Sequence, residues 1–171
     1  QALHAGYTLL EKNGTSLDAV KAAVMSLEDC ILFNAGRGSV FAKDGSQEMD
    51  ASIMEGKTLM AGAVSAVRSI KNPVDLAYVV MTKSQHVMLN GKGAYDFALR
   101  HGIKTEPDSY FFSQCRYEQW KELQGTDEAA LDHNVPSKEK KFGTVGAVAL
   151  DKHGNIAAAT STGGMTNKQY G

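Results

Sequence analysis

Apolar residues recur at helical spacing over residues 1–13, where Ala2, Leu3, Ala5, Leu9 and Leu10 form a stripe that Gly14 can stop. A second stripe, Leu17, Val20, Val24 and Leu27, predicts a helix from Ser16 to about Asp29, capped by Ser16. Residues 33–38, Phe-Asn-Ala-Gly-Arg-Gly, are too rich in glycine for a regular element. Next comes a hairpin pattern: Val40-Phe41, a turn at Lys43-Asp44-Gly45-Ser46, and a strand from about Glu48 to Met54. Small and β-branched residues predict a strand over 61–70. Pro73 opens a helix through Met81, because proline suits the first helical turn. A short strand at 86–89 and helices at 93–100, closed by Gly102, and 117–123 complete the first part.

The pattern changes at Gly125. Residues 125–141 are polar, charged and nearly free of aliphatics, so they bury too little apolar area to offset their ordering entropy and read as an exposed linker. Immediately afterwards Val145-Gly146-Ala147-Val148-Ala149-Leu150 reads as a strand buried on both faces. Asp151-Lys152-His153-Gly154-Asn155 makes a turn, and Ile156 to Ser161 returns as the partner strand.

Candidate chemistry sits where linker meets strand, at Phe142-Gly143-Thr144. Exposed backbone ahead of a rigid strand is a place where a peptide bond can be cut and the new terminus still held. Scission between Gly143 and Thr144 would give a threonine whose free amine acts as general base for its own hydroxyl, an activated nucleophile for acyl carbons. Gly143 leaves the scissile carbonyl uncrowded. If Asp151 pairs with Asn155, the register sets Thr144 opposite Thr162, close enough for two hydroxyls to meet, unless a bulge at Gly154 shifts it by one. On spacing alone such a pair is more often an ordinary strand contact than a catalytic one.

Six stretches carry a more specific signal: Gly143 to Asp151 with Gly154-Asn155 and Ala158 to Gly164; Phe33 to Val40; and Glu48 to Met54 with Ala61 to Val67. In order and spacing they resemble the plant-type asparaginase and isoaspartyl peptidase family of N-terminal-nucleophile hydrolases, over essentially the whole chain. The resemblance implies an α/β fold, the four-layer αββα sandwich, of which this chain holds part in one structural domain. It implies self-cleavage at Gly143-Thr144, so that residues 1–143 form most of an α subunit and 144–171 the start of a β subunit. Thr144 would be the catalytic nucleophile, Thr162 its hydroxyl partner, and Asn34 a substrate-side residue. The implied substrates are L-asparagine and β-aspartyl dipeptides, and the implied assembly of the complete protein is an (αβ)2 dimer. No cofactor is expected for catalysis. A structural sodium ion is implied on the backbone carbonyls of Leu27, Glu28, Cys30, Phe33, Ala35 and Arg37. In the family a strand precedes the position of Gln1, and a substrate-gripping arginine and aspartate follow that of Gly171. Two alternatives remain: a glycosylasparaginase-like hydrolase, which typically has Asp-Thr-Ile-Gly where this chain reads Gly-Thr-Val-Gly, and a non-catalytic truncated homologue lacking the substrate pocket.

Composition narrows the partners. With 22% charged residues and a net charge of -1, the chain carries no basic stripe for nucleic acid. No apolar run approaches the roughly 18 residues of a membrane span. Cys30 and Cys115 are too far apart in sequence for a zinc pair, and His4, His86, His101, His133 and His153 lack metal spacing. Two free thiols and no visible signal segment point to a cytoplasmic protein. Gly163-Gly164 lacks the lysine that would make it a nucleotide loop.

Overall fold

Helix α1 (Ala2–Glu11) lies on α2 (Ser16–Glu28). It ends before Gly14, with Asn13 taking the left-handed conformation (φ 61°) and Gly14 N–H closing on Leu9 O at 2.8 Å. The cap of α2 is Thr15 rather than Ser16. Its hydroxyl accepts Asp18 N–H at 3.1 Å and donates to the Asp18 carboxylate at 2.7 Å, a reciprocal arrangement that Ser16, already helical, cannot make. The computed structural model describes residues 1–126, 128–129 and 143–170. The linker expected at 125–141 therefore lies almost wholly outside the described residues.

Among the described residues five strands form one sheet in the order β3-β2-β1-β5-β4: β1 (Met49–Glu55), β2 (Ala61–Val67), β3 (Met88–Asn90), β4 (Val145–Leu150) and β5 (Ile156–Thr162). Every pairing is antiparallel except β2 with β3. Helices α2, α3 (Pro73–Lys83) and α4 (Gly91–Arg100) pack on one face of this sheet. Between them lie Val20, Val24, Met49, Ile53, Val64, Leu76 and Val80, all essentially inaccessible to solvent. Gly62 lets α3 lie directly on β2, since a Cβ there would run into Ala77 O and Met81. Two short helices, α5 (Asp108–Phe111) and α6 (Gln114–Glu122), follow, and the pattern of apolar positions did not announce α5. The chain thus supplies one helical layer and one sheet of a mixed α/β fold, as part of an αββα sandwich would.

Two expectations need correction. Val40 and Phe41 form no strand, although the turn after them is present, with Ala42 N–H on Ser46 O at 2.8 Å. Their backbone groups are claimed elsewhere: Val40 N–H donates to Asn34 Oδ1, and Phe41 O accepts from Asn167 N–H. The strand at 145–150 is not buried on both faces. Val145 faces the helices, whereas Val148 (85% exposed) and Leu150 (61%) point away from them, beside Ile156, Met54 and Leu59. An apolar sheet face of this extent is uncovered in the described residues.

Candidate active site

β4 starts one residue after Thr144, and β5 ends on Thr162. Asp151 N–H donates to Asn155 O at 3.0 Å, and Val145 through Leu150 pair with Ser161 through Ile156 in unbroken register, so Gly154 (φ 79°) turns the chain without shifting it. The register that this turn implies for Thr144 and Thr162 is therefore the one observed, and their hydroxyl oxygens lie 2.7 Å apart. Gly164 N–H donates to Thr162 Oγ1 at 3.1 Å. With one lone pair of Thr162 so engaged, its hydroxyl keeps a proton and a second lone pair for Thr144 Oγ1, and either oxygen can be the donor.

Asn34 joins both sides of this pair. Its backbone N–H donates to Gly143 O, the carbonyl of the candidate scissile bond, at 3.3 Å, and its C=O accepts Gly163 N–H at 3.0 Å. The side-chain amide donates to Gly164 O at 2.7 Å and accepts Val40 N–H at 3.1 Å. Asn34 is buried, so the group it turns to the junction is main chain, and its amide is spent on tying two loops together. Gly163 serves this closeness: a Cβ there would meet Asn34 Oδ1 and Ser39 Cβ. Gly163 is thus a steric requirement of the site, whereas Gly164 is required by its left-handed backbone (φ 75°).

The open face of the sheet is polar at this end. Asp50 pairs with Thr162 across β1 and β5, and its carboxylate accepts Ser65 Oγ–H at 2.7 Å and Ala66 N–H at 2.9 Å, where β2 bulges. Ser52 and Thr160, the next pair along on the same face, share a hydrogen bond of 2.9 Å. Period-two alternation along β1 could have flagged Asp50 and Ser52, but sequence reading passed over both.

Glu28 lies beneath the site. Burial pushes its carboxyl up to about 8, opposed first by Ser161 and then by Val74 N–H, which donates to Oε1 at 2.9 Å. Glu28 Oε2 and Ser161 Oγ are both buried without a well-formed hydrogen bond among the described residues, though the Ser161 hydroxyl is near enough to oppose the rise. Ser161 is the residue before Thr162, on the helix side of β5.

The loop expected to wrap sodium closes tightly. A Cβ at Gly36 would collide with Glu28 O and one at Gly38 with Phe33 O, so both glycines let expected ligand carbonyls crowd the loop interior. The carbonyls of Cys30 and Ala35 accept an N–H from Phe33 and Gly38, and a carbonyl has a second lone pair to offer. The loop already attracts one cation: buried Arg116 donates to Gly38 O at 3.0 Å and Leu32 O at 3.4 Å. The Arg37 guanidinium lies over the Tyr110 ring, 5.2 Å from its centre. Among the described residues no three His, Cys, Asp or Glu side chains converge as metal ligands, so an ion here would rest on main-chain oxygen. Both cysteines are free thiols.

The sequence profile of a family described as asparaginase matches residues 1–171. The chain is 49% identical to an isoaspartyl peptidase of Salmonella typhimurium, with 100% of this chain and 55% of that protein aligned. Identity to an Escherichia coli isoaspartyl peptidase is 50%, over 97% of this chain and 52% of the relative. A Bos taurus isoaspartyl peptidase/L-asparaginase is 48% identical, over 100% and 54% respectively. The chain spans about half the length of the curated relatives it matches.

Proposed function

This chain belongs to the asparaginase family, and on that basis we propose that the full-length protein cuts itself between Gly143 and Thr144 and then hydrolyses L-asparagine and β-aspartyl dipeptides with Thr144 as nucleophile. The observation that carries the proposal is the 2.7 Å contact between the hydroxyls of Thr144 and Thr162 at the mouth of a rigid hairpin.

In self-cleavage Thr144 Oγ attacks the Gly143 carbonyl carbon. Asn34 N–H, already donating to that carbonyl oxygen, favours the charge that develops there. The Gly143–Thr144 C–N bond breaks, the proton that Oγ gives up passes to the departing nitrogen, which becomes the free amine, and an ester links Gly143 to Thr144 Oγ. Water hydrolyses the ester. In turnover the freed amine accepts the hydroxyl proton, and Oγ attacks the substrate's side-chain carbonyl. Ammonia, or the amino acid of a dipeptide, departs carrying that proton. Water then releases aspartate from the aspartyl ester and regenerates Thr144. Thr162 donates to Oγ throughout, stabilising the alkoxide-like oxygen as it forms.

The same reading assigns a structural sodium ion to the carbonyls of Leu27, Glu28, Cys30, Phe33, Ala35 and Arg37, where it would brace the loop bearing Asn34. It also makes residues 1–143 and 144 onward the two subunits of a cytoplasmic (αβ)2 dimer. Among the described residues no helix is long and apolar enough to cross a membrane. A glycosylasparaginase-like specificity is the weaker reading, because the relatives compared are named for isoaspartyl peptides and asparagine.

Mass spectrometry of the purified full-length protein tests the proposal. Two fragments with a new amino terminus at Thr144 are expected, together with ammonia release from asparagine, while Thr144→Ala should remain one chain. Maturation of Thr144→Ala at the same bond would assign the cut to another protease.

A further inference from the structure

Helix α6 is seated on the body by Arg116 and by its aromatic residues: Tyr117 and Trp120 pack on Phe41, with ring centres 6.1 and 5.8 Å apart. Beyond α6 the chain turns on itself. Thr126 N–H and Oγ1–H both donate to Leu123 O, and Glu128 N–H reaches Thr126 Oγ1. Three carbonyls of this tail are met by one amide from the far side of the scissile bond. Asn167 Nδ2 donates to Glu128 O at 2.8 Å and lies 3.4 Å from both Leu123 O and Thr126 O.

Asn167 is held for this contact. Its side chain is buried, and its backbone is left-handed (φ 63°), a conformation asparagine tolerates better than most residues. Its own N–H is fixed to Phe41 O at 2.8 Å, and Lys43 N–H donates to Lys168 O beside it. The amide cannot flip, since that would turn its oxygen onto three carbonyl oxygens.

We infer that Asn167 is a positioning residue for maturation: its amide pins Leu123, Thr126 and Glu128 of the first cleavage product to the second. The inference rests on the proposed self-cleavage and adds to it a contact joining the two products. It also assigns a role upstream of the cut. Asn167 holds Glu128, and Asn34 N–H holds Gly143 O at 3.3 Å, so the chain leading to the scissile carbonyl is fixed at both described ends, as productive orientation requires. After scission the same amide keeps the tail docked without a covalent link.

Two variants of the full-length protein separate this role from general stability. Asn167→Asp keeps the shape but replaces the donor with an anion facing three carbonyls. Asn167→Gly keeps the left-handed backbone and deletes the amide. In both, conversion of precursor to two chains should slow at least about tenfold. Hydrogen–deuterium exchange should rise in peptides spanning 123–128. The kcat and KM of whatever enzyme matures should stay within about twofold of wild type. Cleavage at the wild-type rate, or loss of mature turnover in parallel with cleavage, would overturn the inference. A wild-type protein that never cuts itself would sink the proposed function instead, leaving the exchange measurement alone to decide whether Asn167 holds the tail.

Discussion

At the scale of single residues the candidate site is a pair of hydroxyls with one shared proton path. Thr162→Val keeps the size and strand preference of Thr162 but removes its proton and the acceptor for Gly164 N–H. Turnover of the matured enzyme should fall at least about tenfold, equivalent to about 1.4 kcal/mol of barrier, with the fold kept. Unchanged kcat in a matured Thr162→Val enzyme would remove Thr162 from the mechanism. This pair was legible in the sequence because it depends only on local facts: a short turn at Gly154 and the two-residue period of strands. Asn34 was legible as an identity but not as a geometry. Its contribution at the junction is a backbone N–H, which any non-proline residue carries, and its side chain is occupied by Gly164 and Val40. Glu28 was visible only as an expected carbonyl ligand. Nothing in its spacing says that the carboxyl would be carried into the core beneath Ser161.

Among the elements, the β4–β5 hairpin is the part on which the site depends most, and Asp151 is its lock. Burial of the Asp151 carboxyl works to raise its pKa, but hydrogen bonds from Asn155, Ser16 and His153 outweigh that and hold it at about 2, below its ordinary 3.8. A carboxyl depressed in the folded state stabilises it above the unfolded pKa, and that stabilisation is lost as pH falls from about 4 toward 2. Asp151→Asn has no such charge to lose. Its thermal midpoint should therefore lie below wild type at pH 7, and the gap should narrow as the pH is taken down toward 2. A constant gap across that range would mean that the ionised carboxylate contributes nothing and that packing alone explains the defect. Other elements were read unevenly. Helices α2, α3 and α4 declared themselves through apolar period, but Thr15 took the cap expected of Ser16, and β2 stopped at Val67. Left-handed Ala66 (φ 50°), fixed by Asp50, bulges the strand one residue before its end, and left-handed Ser69 (φ 60°) turns the chain before Ile70. Such breaks come from a partner strand's side chain, so no local pattern announces them.

For the molecule as a whole, the sheet has two unlike faces. One is sealed by α2, α3 and α4. The other carries Thr144, Thr162 and Asp50 at one end and Met54, Leu59, Val148, Leu150 and Ile156, all substantially exposed, at the other. A run such as Val145–Leu150 looks equally apolar whether its second face is covered by its own chain segment or by another. Sequence therefore could not show that these residues leave β4 bare. Among the described residues β4 is also an edge strand of the sheet, the position at which main-chain groups invite pairing with another segment. Relatives are about twice as long as this chain, and the remainder of such a protein is the natural cover for both face and edge. Polypeptide 1–171 expressed by itself should then bind a dye that reports exposed apolar surface, associate with itself at micromolar concentration, and release no measurable ammonia from asparagine. Supplying the rest of the protein as a separate chain should suppress both dye binding and association. The test is dye fluorescence and light scattering with and without that second chain, alongside the ammonia assay. A 1–171 polypeptide that stays monomeric, ignores the dye and turns over asparagine would show that its bare face is stable in water. The substrate would then be held by residues already in this chain, and Asp50 and Arg37 would be the first to replace.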